Sequence, residues 1–156
     1  MIDPSSFRDV LGHFATGVAV ITAHDGEPVG MAVNSFTSVS LDPPLVAFCA
    51  ATSSATWPRI RAAGRFAVSV LDAAQAETCR RFASKDGDRF GGCSWSPSRG
   101  GSPVLDDALA WIDCEIDAEH EAGDHVIVVG RVTELATREG EPLIFYRGGY
   151  RVLEAC

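Results

Sequence analysis

The sequence predicts a mainly β chain with flanking helices, arranged as a closed or partly closed antiparallel barrel. Three observations point there. Short β-branched or apolar runs recur from Gly17 to Leu153, brief helical stretches lie between and beside them, and no regular β-α alternation builds a parallel sheet. A doubly wound nucleotide fold is disfavoured, because no G-x-G-x-x-G joins a strand to a helix. At 156 residues, 46% hydrophobic and 22% charged, the chain has the makings of one globular domain covering residues 1–156 and too little length for two cores.

Asp3 before Pro4 is a helix-start signal, and Phe7, Val10, Leu11 and Phe14 recur at helical spacing towards a stop at Gly17. Residues 17–23 are compact and β-branched, Asp25-Gly26 signals a hairpin, and residues 28–33 supply the returning strand. Residues 34–40 are polar, Asp42-Pro43-Pro44 breaks the chain and residues 45–50 resume as a buried strand, so the polar stretch is expected to lie between two strands. A short helix follows over 56–63, stopped by Gly64, then a strand over 66–71 and a helix over 73–83 capped by Asp72. Residues 84–102 are glycine-rich and aperiodic, which predicts a long ordered loop or lid. Further strands are expected over 109–116, 125–135 and 143–153, the last interrupted by Gly148-Gly149.

Thirteen Lys and Arg against twenty-one Asp and Glu leave a net charge of −8 with no basic run, so nucleic acid is not the expected partner. Residues 1–4 have neither the basic nor the apolar region of a secretory signal, and no stretch is apolar for long enough to span a bilayer, so no membrane association and a cytoplasmic location are expected. The five cysteines have irregular spacing and no C-x-x-C pair, and read as free thiols, with Cys49 and Cys114 packed in strands. The four histidines form no ligand motif, so no metal site is expected.

Chemistry concentrates in three places. In residues 30–44, Asn34, Ser35, Thr37, Ser38 and Ser40 can all donate hydrogen bonds, and in an extended segment Asn34, Phe36, Ser38 and Ser40 would share one face. That mix suits a planar heteroaromatic ligand with polar edges, and equally a hydroxyl-rich turn that satisfies its own backbone. Thr52-Ser53-Ser54 with Thr56 precedes a helix start, where either an anion or simple capping by Ser53 or Ser54 fits. Lys85, Asp86, Asp88 and Arg89 read as a solvated loop, or, through Arg89-Phe90, as a pair that holds a phosphate and covers a ring.

Taken in order, Phe14-Ala15-Thr16-Gly17-Val18, the Asn34 to Pro44 segment, Ser53-Ser54, Arg65-Phe66-Ala67-Val68, Gly123-Asp124-His125 and the run Pro142 to Tyr150 resemble the short-chain flavin reductase family. These are the reductase components of two-component flavin monooxygenases, and the likeness runs from Phe7 to Tyr150. The resemblance implies an FMN-binding split β-barrel, Greek-key-like and homodimeric, that uses NADH or NADPH to reduce FMN or FAD and supplies a partner monooxygenase through diffusible reduced flavin. It implies that Val33, Asn34, Ser35, Phe36, Thr37, Ser38, Val39 and Ser40 line the isoalloxazine and ribityl chain, with Ala50, and that Thr52, Ser53, Ser54 and Thr56 approach the phosphate. Ala83, Ser84, Lys85, Arg89 and Phe90 match the loop that reaches the flavin, while His125 and Tyr150 fall on the nicotinamide side. Relatives often carry Lys and Arg around the serine pair, where this chain has Thr52 and Ala55. The cofactors perform the hydride chemistry, so no catalytic side chain is expected. Two other readings fit the same residues: a split-barrel flavoprotein that keeps its flavin and reduces ferric iron or a quinone, and a non-catalytic flavin-binding module.

Overall fold

The computed structural model describes residues 1–156, and its architecture follows from strand pairing. In chain order the elements are α1 (Pro4–Leu11), β1 (Thr16–Gly17), β2 (Ala19–His24), β3 (Pro28–Val33), β4 (Thr37–Leu41), β5 (Pro44–Ala51), α2 (Trp57–Ala63) and β6 (Arg65–Val70). There follow α3 (Ala76–Ala83), β7 (Trp95–Pro97), β8 (Pro103–Leu105), β9 (Ala110–Ala122), β10 (His125–Thr137), β11 (Ile144–Tyr146) and β12 (Gly149–Arg151). The main sheet has seven antiparallel strands in the order β3-β2-β6-β9-β10-β5-β4, with small sheets β1-β11-β12 and β7-β8 beside it.

β3 and β4 are consecutive in sequence yet form the two outer edges of that sheet, joined only by Asn34, Ser35 and Phe36. Laid flat, six strand spacings of about 4.8 Å would hold the edges about 29 Å apart. The link spans at most about 14 Å. The sheet must therefore curl until its edges face each other, which makes a barrel that stays split between β3 and β4. Bulges in the β9-β10 ladder, near Gly130 and between Val132 and Glu134, bend the two longest strands around the core.

The interior holds Ile21, Phe48, Phe66, Val68, Cys114 and Val128, closed at one end by Trp57 and Ile60 of α2. Phe48 meets Phe66 edge-on at 5.1 Å and Trp57 at 6.0 Å. A second core, with Val18, Val20, Leu71, Phe82, Leu105 and Leu143, packs α3 and the β8 segment on the outside of β2. Both faces of β2 are thus covered, which is why residues 19–23 are apolar almost without alternation. No helix is long and apolar enough to cross a membrane.

Four expectations change. The first helix stops at Leu11 and not at Gly17: its end tightens through Phe14 N–H to Leu11 O, and Thr16 is taken by strand pairing with Phe145. The third helix starts at Ala76, because Ala73 N–H bonds Glu141 O at 2.8 Å and Asp72 bridges Pro142, pulling residues 72–73 towards the C-terminal segment. Asp72 accordingly accepts from Ala74 in the turn before the helix instead of capping it. Thr37 to Ser40 are not a connection but most of strand β4, and a bulge between Ser38 and Ser40 breaks the alternation that would have put Asn34, Phe36, Ser38 and Ser40 on one face. The glycine-rich stretch 84–102 contains β7, which folds back on β8.

Gly130 occupies the point where β10 crosses Phe66. A Cβ there would lie 2.4 Å from Phe66 Cζ and 3.1 Å from Cys114 Cβ, two groups fixed in the core. Gly130→Ala is expected to cost about 1–3 kcal/mol by overpacking. Equilibrium urea unfolding checks this, and a variant as stable as the parent would show that the core around Phe66 gives way freely.

Candidate active site

The split leaves the outer edge of β3 without a strand partner, and the residues gather there. Gly30 O faces that edge, since it accepts from Arg89 Nη1 at 2.8 Å. Strand alternation turns the N–H and C=O of Ala32 to the same side, a main-chain donor and acceptor unclaimed by β2. Ser35 stitches the far side of the split: its hydroxyl accepts from Cys49 N–H at 2.9 Å and donates to Cys49 O.

Between these edges lies a cleft of about 330 Å³ lined by residues 31–35, Cys49, Ala50, Ala51, Ser54 and His125. An apolar cavity of about 160 Å³ adjoins it through Ala32, Val33 and Asn34, walled by Val18, Cys79, Ala83, Phe145 and Tyr150. At the other end of β3, a groove of about 320 Å³ runs past Gly30, Thr56, Arg59, Lys85 and Arg89. The three lie in succession along β3, a track with an aliphatic wall, polar edges in the middle and a groove of mixed charge, Arg59, Lys85 and Arg89 beside Glu27 and Asp88, past one end. The largest cavity, about 430 Å³, lies elsewhere, between the β7-β8 hairpin and residues 134–138, and contains none of the residues singled out in the sequence.

His125 opens β10 and its position is fixed from two sides. Its Nδ1 meets Asp124 Oδ1 at 2.7 Å, and Asp124 O accepts from both the N–H and the hydroxyl of Thr52 at 2.9 and 3.0 Å. The His125 bond, aided by its charge, holds the Asp124 carboxyl below the usual range. With Nδ1 donating to that carboxylate, Nε2 is the nitrogen left to face a ligand. Thr52 thus ties the β9-β10 turn to the end of β5 and carries no visible phosphate role.

Ser54 both lines the cleft and serves the helix start: its oxygen accepts from the N–H groups of Thr56 and Trp57 at 3.2 and 3.1 Å, at the beginning of the seven-residue α2. Ser53 is exposed and lines none of these cavities. Positive charge comes from Arg59, Lys85 and Arg89 instead. Arg59 pairs with Asp25 and Glu27, and Arg89 donates to Ser84 O, Gly30 O and Thr56 Oγ1, so it clamps residues 84–90 against β3. Ser84 bonds within that loop, to Asp86.

Phe90 lines the groove beside Lys85 and Arg89 with one side of its ring. It packs edge-on between Phe82, at 4.9 Å, and Trp95, at 6.3 Å, in the second core. Tyr150 donates to Cys79 Sγ at 3.2 Å under the Arg80 guanidinium; burial, then the Cys79 contact, pushes its phenol up to about 12. It shares the apolar cavity with Asn34 and not the cleft with His125. Phe36 packs on the barrel core, and Thr37, Ser38, Val39 and Ser40 lie on β4 outside the cleft. Met31, Ala32, Cys49 and Arg59 line the track without having been anticipated. The only sequence signal for them was the strand flanking Asn34 and, for Arg59, its place one helical turn after Thr56.

Residues 11–154 match the family described as flavin reductase like domain. The chain belongs to that family. It is 54% identical over 152 residues to a flavin reductase of Pseudomonas putida, covering 96% of this chain and 89% of that protein. It is 50% identical to the flavin-dependent monooxygenase reductase subunit HsaB of Rhodococcus jostii, over 98% of this chain and 80% of the relative. Among solved structures, the Streptomyces globisporus NADH:FAD oxidoreductase SgcE6 superposes with a TM-score of 0.93 at 38% identity, covering 99% of this chain and 98% of that one. The same enzyme has been solved with NAD and FAD fragments.

Proposed function

We propose that this protein is an NAD(P)H:flavin oxidoreductase that reduces FMN or FAD and passes the reduced flavin to a separate flavin-dependent monooxygenase in the cytoplasm. The observation that carries this reading is the single cleft, in the split of the barrel, that brings the Ala32 edge, Asn34 and His125 together. The family membership and the names of its relatives support it.

Flavin, when bound, would supply the chemistry as the acceptor of hydride from a reduced nicotinamide. The chain's own residues bind, orient and exclude water. The Ala32 main chain and the Asn34 amide hold the polar ring edge, where fixed dipoles favour the charge that develops on reduction. The apolar walls, Ala50 and Val33, would keep water from a ring held in the cleft. Lys85, Arg89 and Thr56 hold phosphate at the outer end of the groove. His125, fixed by Asp124 and Thr52, orients the nicotinamide and transfers no proton. The purified protein is expected to be colourless and to oxidise NADH or NADPH only after FMN or FAD is added. A yellow protein that keeps its flavin through gel filtration would favour reduction of ferric iron or a quinone, and flavin binding without nicotinamide oxidation would refute the enzyme reading. Asn34→Ala should weaken flavin binding by about 0.5–1.5 kcal/mol, while Ser38→Ala leaves it unchanged. Fluorescence quenching checks both, and the reverse order would move the site to β4.

The functional unit in this reading is a homodimer. The α1 helix buries none of its side chains, and Phe7, Val10 and Leu11 stand exposed on it with Phe14 exposed just beyond its end, an apolar face that a second copy of the chain covers. Sedimentation equilibrium should give twice the 16.6 kDa chain mass, and a monomer at micromolar concentration would contradict this.

A further inference from the structure

The end of α1 is docked on the turn between β11 and β12. Arg147 N–H donates to Gly12 O at 3.0 Å, and the His13 ring meets Tyr146 edge-on at 6.3 Å. Together these contacts enclose a depression of about 280 Å³ lined only by Arg8, Asp9, Gly12, Arg147 and Gly148, with no apolar residue in its wall.

Three features mark this depression as a site for an anion. Arg8 and Arg147 both face it, and neither guanidinium makes a hydrogen bond or an ion pair. Asp9 is the one acidic residue in the lining, against two arginines. Arg147 is also the only residue other than glycine with a positive φ, at 48°. A β-carbon in that conformation is strained, and strain of this kind persists where the surrounding structure holds it in place.

The location is equally informative. The depression lies at the tip of the β11-β12 hairpin, whose Phe145 and Tyr150 wall the apolar cavity beside the cleft. The same hairpin therefore carries the depression on its turn and one wall of the track on its strands. The depression shares no residue with the groove of Lys85 and Arg89 at the other end of the track.

We infer that Arg8 and Arg147 form a phosphate subsite for the reduced nicotinamide dinucleotide, separate from the groove that takes the flavin phosphate. This rests on the flavin reductase reading and adds to it residues that hold the second substrate away from its reacting ring. A guanidinium pair suits either the pyrophosphate common to NADH and NADPH or the 2′-phosphate of NADPH alone, because both present charged oxygens to planar donors.

The test is steady-state turnover of the full chain with FMN, comparing the parent with Arg8→Gln/Arg147→Asn, where Asn tolerates the left-handed backbone. The KM for the dinucleotide is expected to rise about tenfold, the scale of losing two exposed charge-assisted contacts, with the FMN dissociation constant within about twofold of the parent. An equal rise for NADH and NADPH assigns the pyrophosphate, and a rise confined to NADPH assigns the 2′-phosphate; both support the subsite. Unchanged KM for both dinucleotides overturns it, as does weakened FMN binding with riboflavin binding intact, which would give the arginines to the flavin. Should the double variant melt early, Arg8→Gln alone, on the exposed face of α1, is expected to raise KM about threefold, and no rise overturns the subsite. A parent enzyme that fails to oxidise either dinucleotide with FMN refutes the flavin reductase reading and the subsite with it. Parent turnover with an unmoved KM in the variant refutes the subsite alone.

Discussion

Three residues, Asn34 to Phe36, connect the two outermost strands of a seven-stranded sheet, and most of the molecule follows from how short that link is. It forces the sheet to curl, places the core inside the curl and brings the unpaired edge of β3 opposite the end of β5. Because the two edges approach without pairing, the main-chain groups of Ala32 and the link itself border a cleft and not a ladder. The Ser35 hydroxyl, bonded to both backbone groups of Cys49, holds the gap at a fixed width in place of the missing strand pair. The barrel's imperfection and its candidate site are one feature.

The elements set by local chemistry were legible in the sequence. Asp25-Gly26 marked the β2-β3 hairpin, Gly64 in the left-handed region stopped α2, and the unbroken apolar run of β2 reflected burial on both faces. What sequence periodicity missed depended on distant partners. The helix pattern running to Phe14 gives way because Thr16 pairs with Phe145, and the start of α3 is delayed because Ala73 is held by Glu141. No window along the chain contains those partners.

The site divides in the same way. Asn34, Ser35 and His125 line one cleft, while Lys85 and Arg89 line a separate groove past the other end of β3. The hydroxyls of Thr52 and Ser54 bond to the backbone, one tying the His125 turn to β5 and the other serving the start of α2. Side-chain type alone does not distinguish a hydroxyl that meets a ligand from one that meets the backbone. The cations missing from the serine cluster are supplied from α2 and from the 84–90 loop, which are distant in sequence and adjacent only after the barrel closes.

The central claim is that flavin lies in the split along β3, not in the larger cavity under the β7-β8 hairpin. Hydrogen-deuterium exchange of the whole protein with and without saturating FMN tests this most directly. The account predicts new protection in residues 30–36, 49–56 and 84–90, with residues 96–106 and 134–138 unchanged. Protection confined to the latter two segments would contradict it.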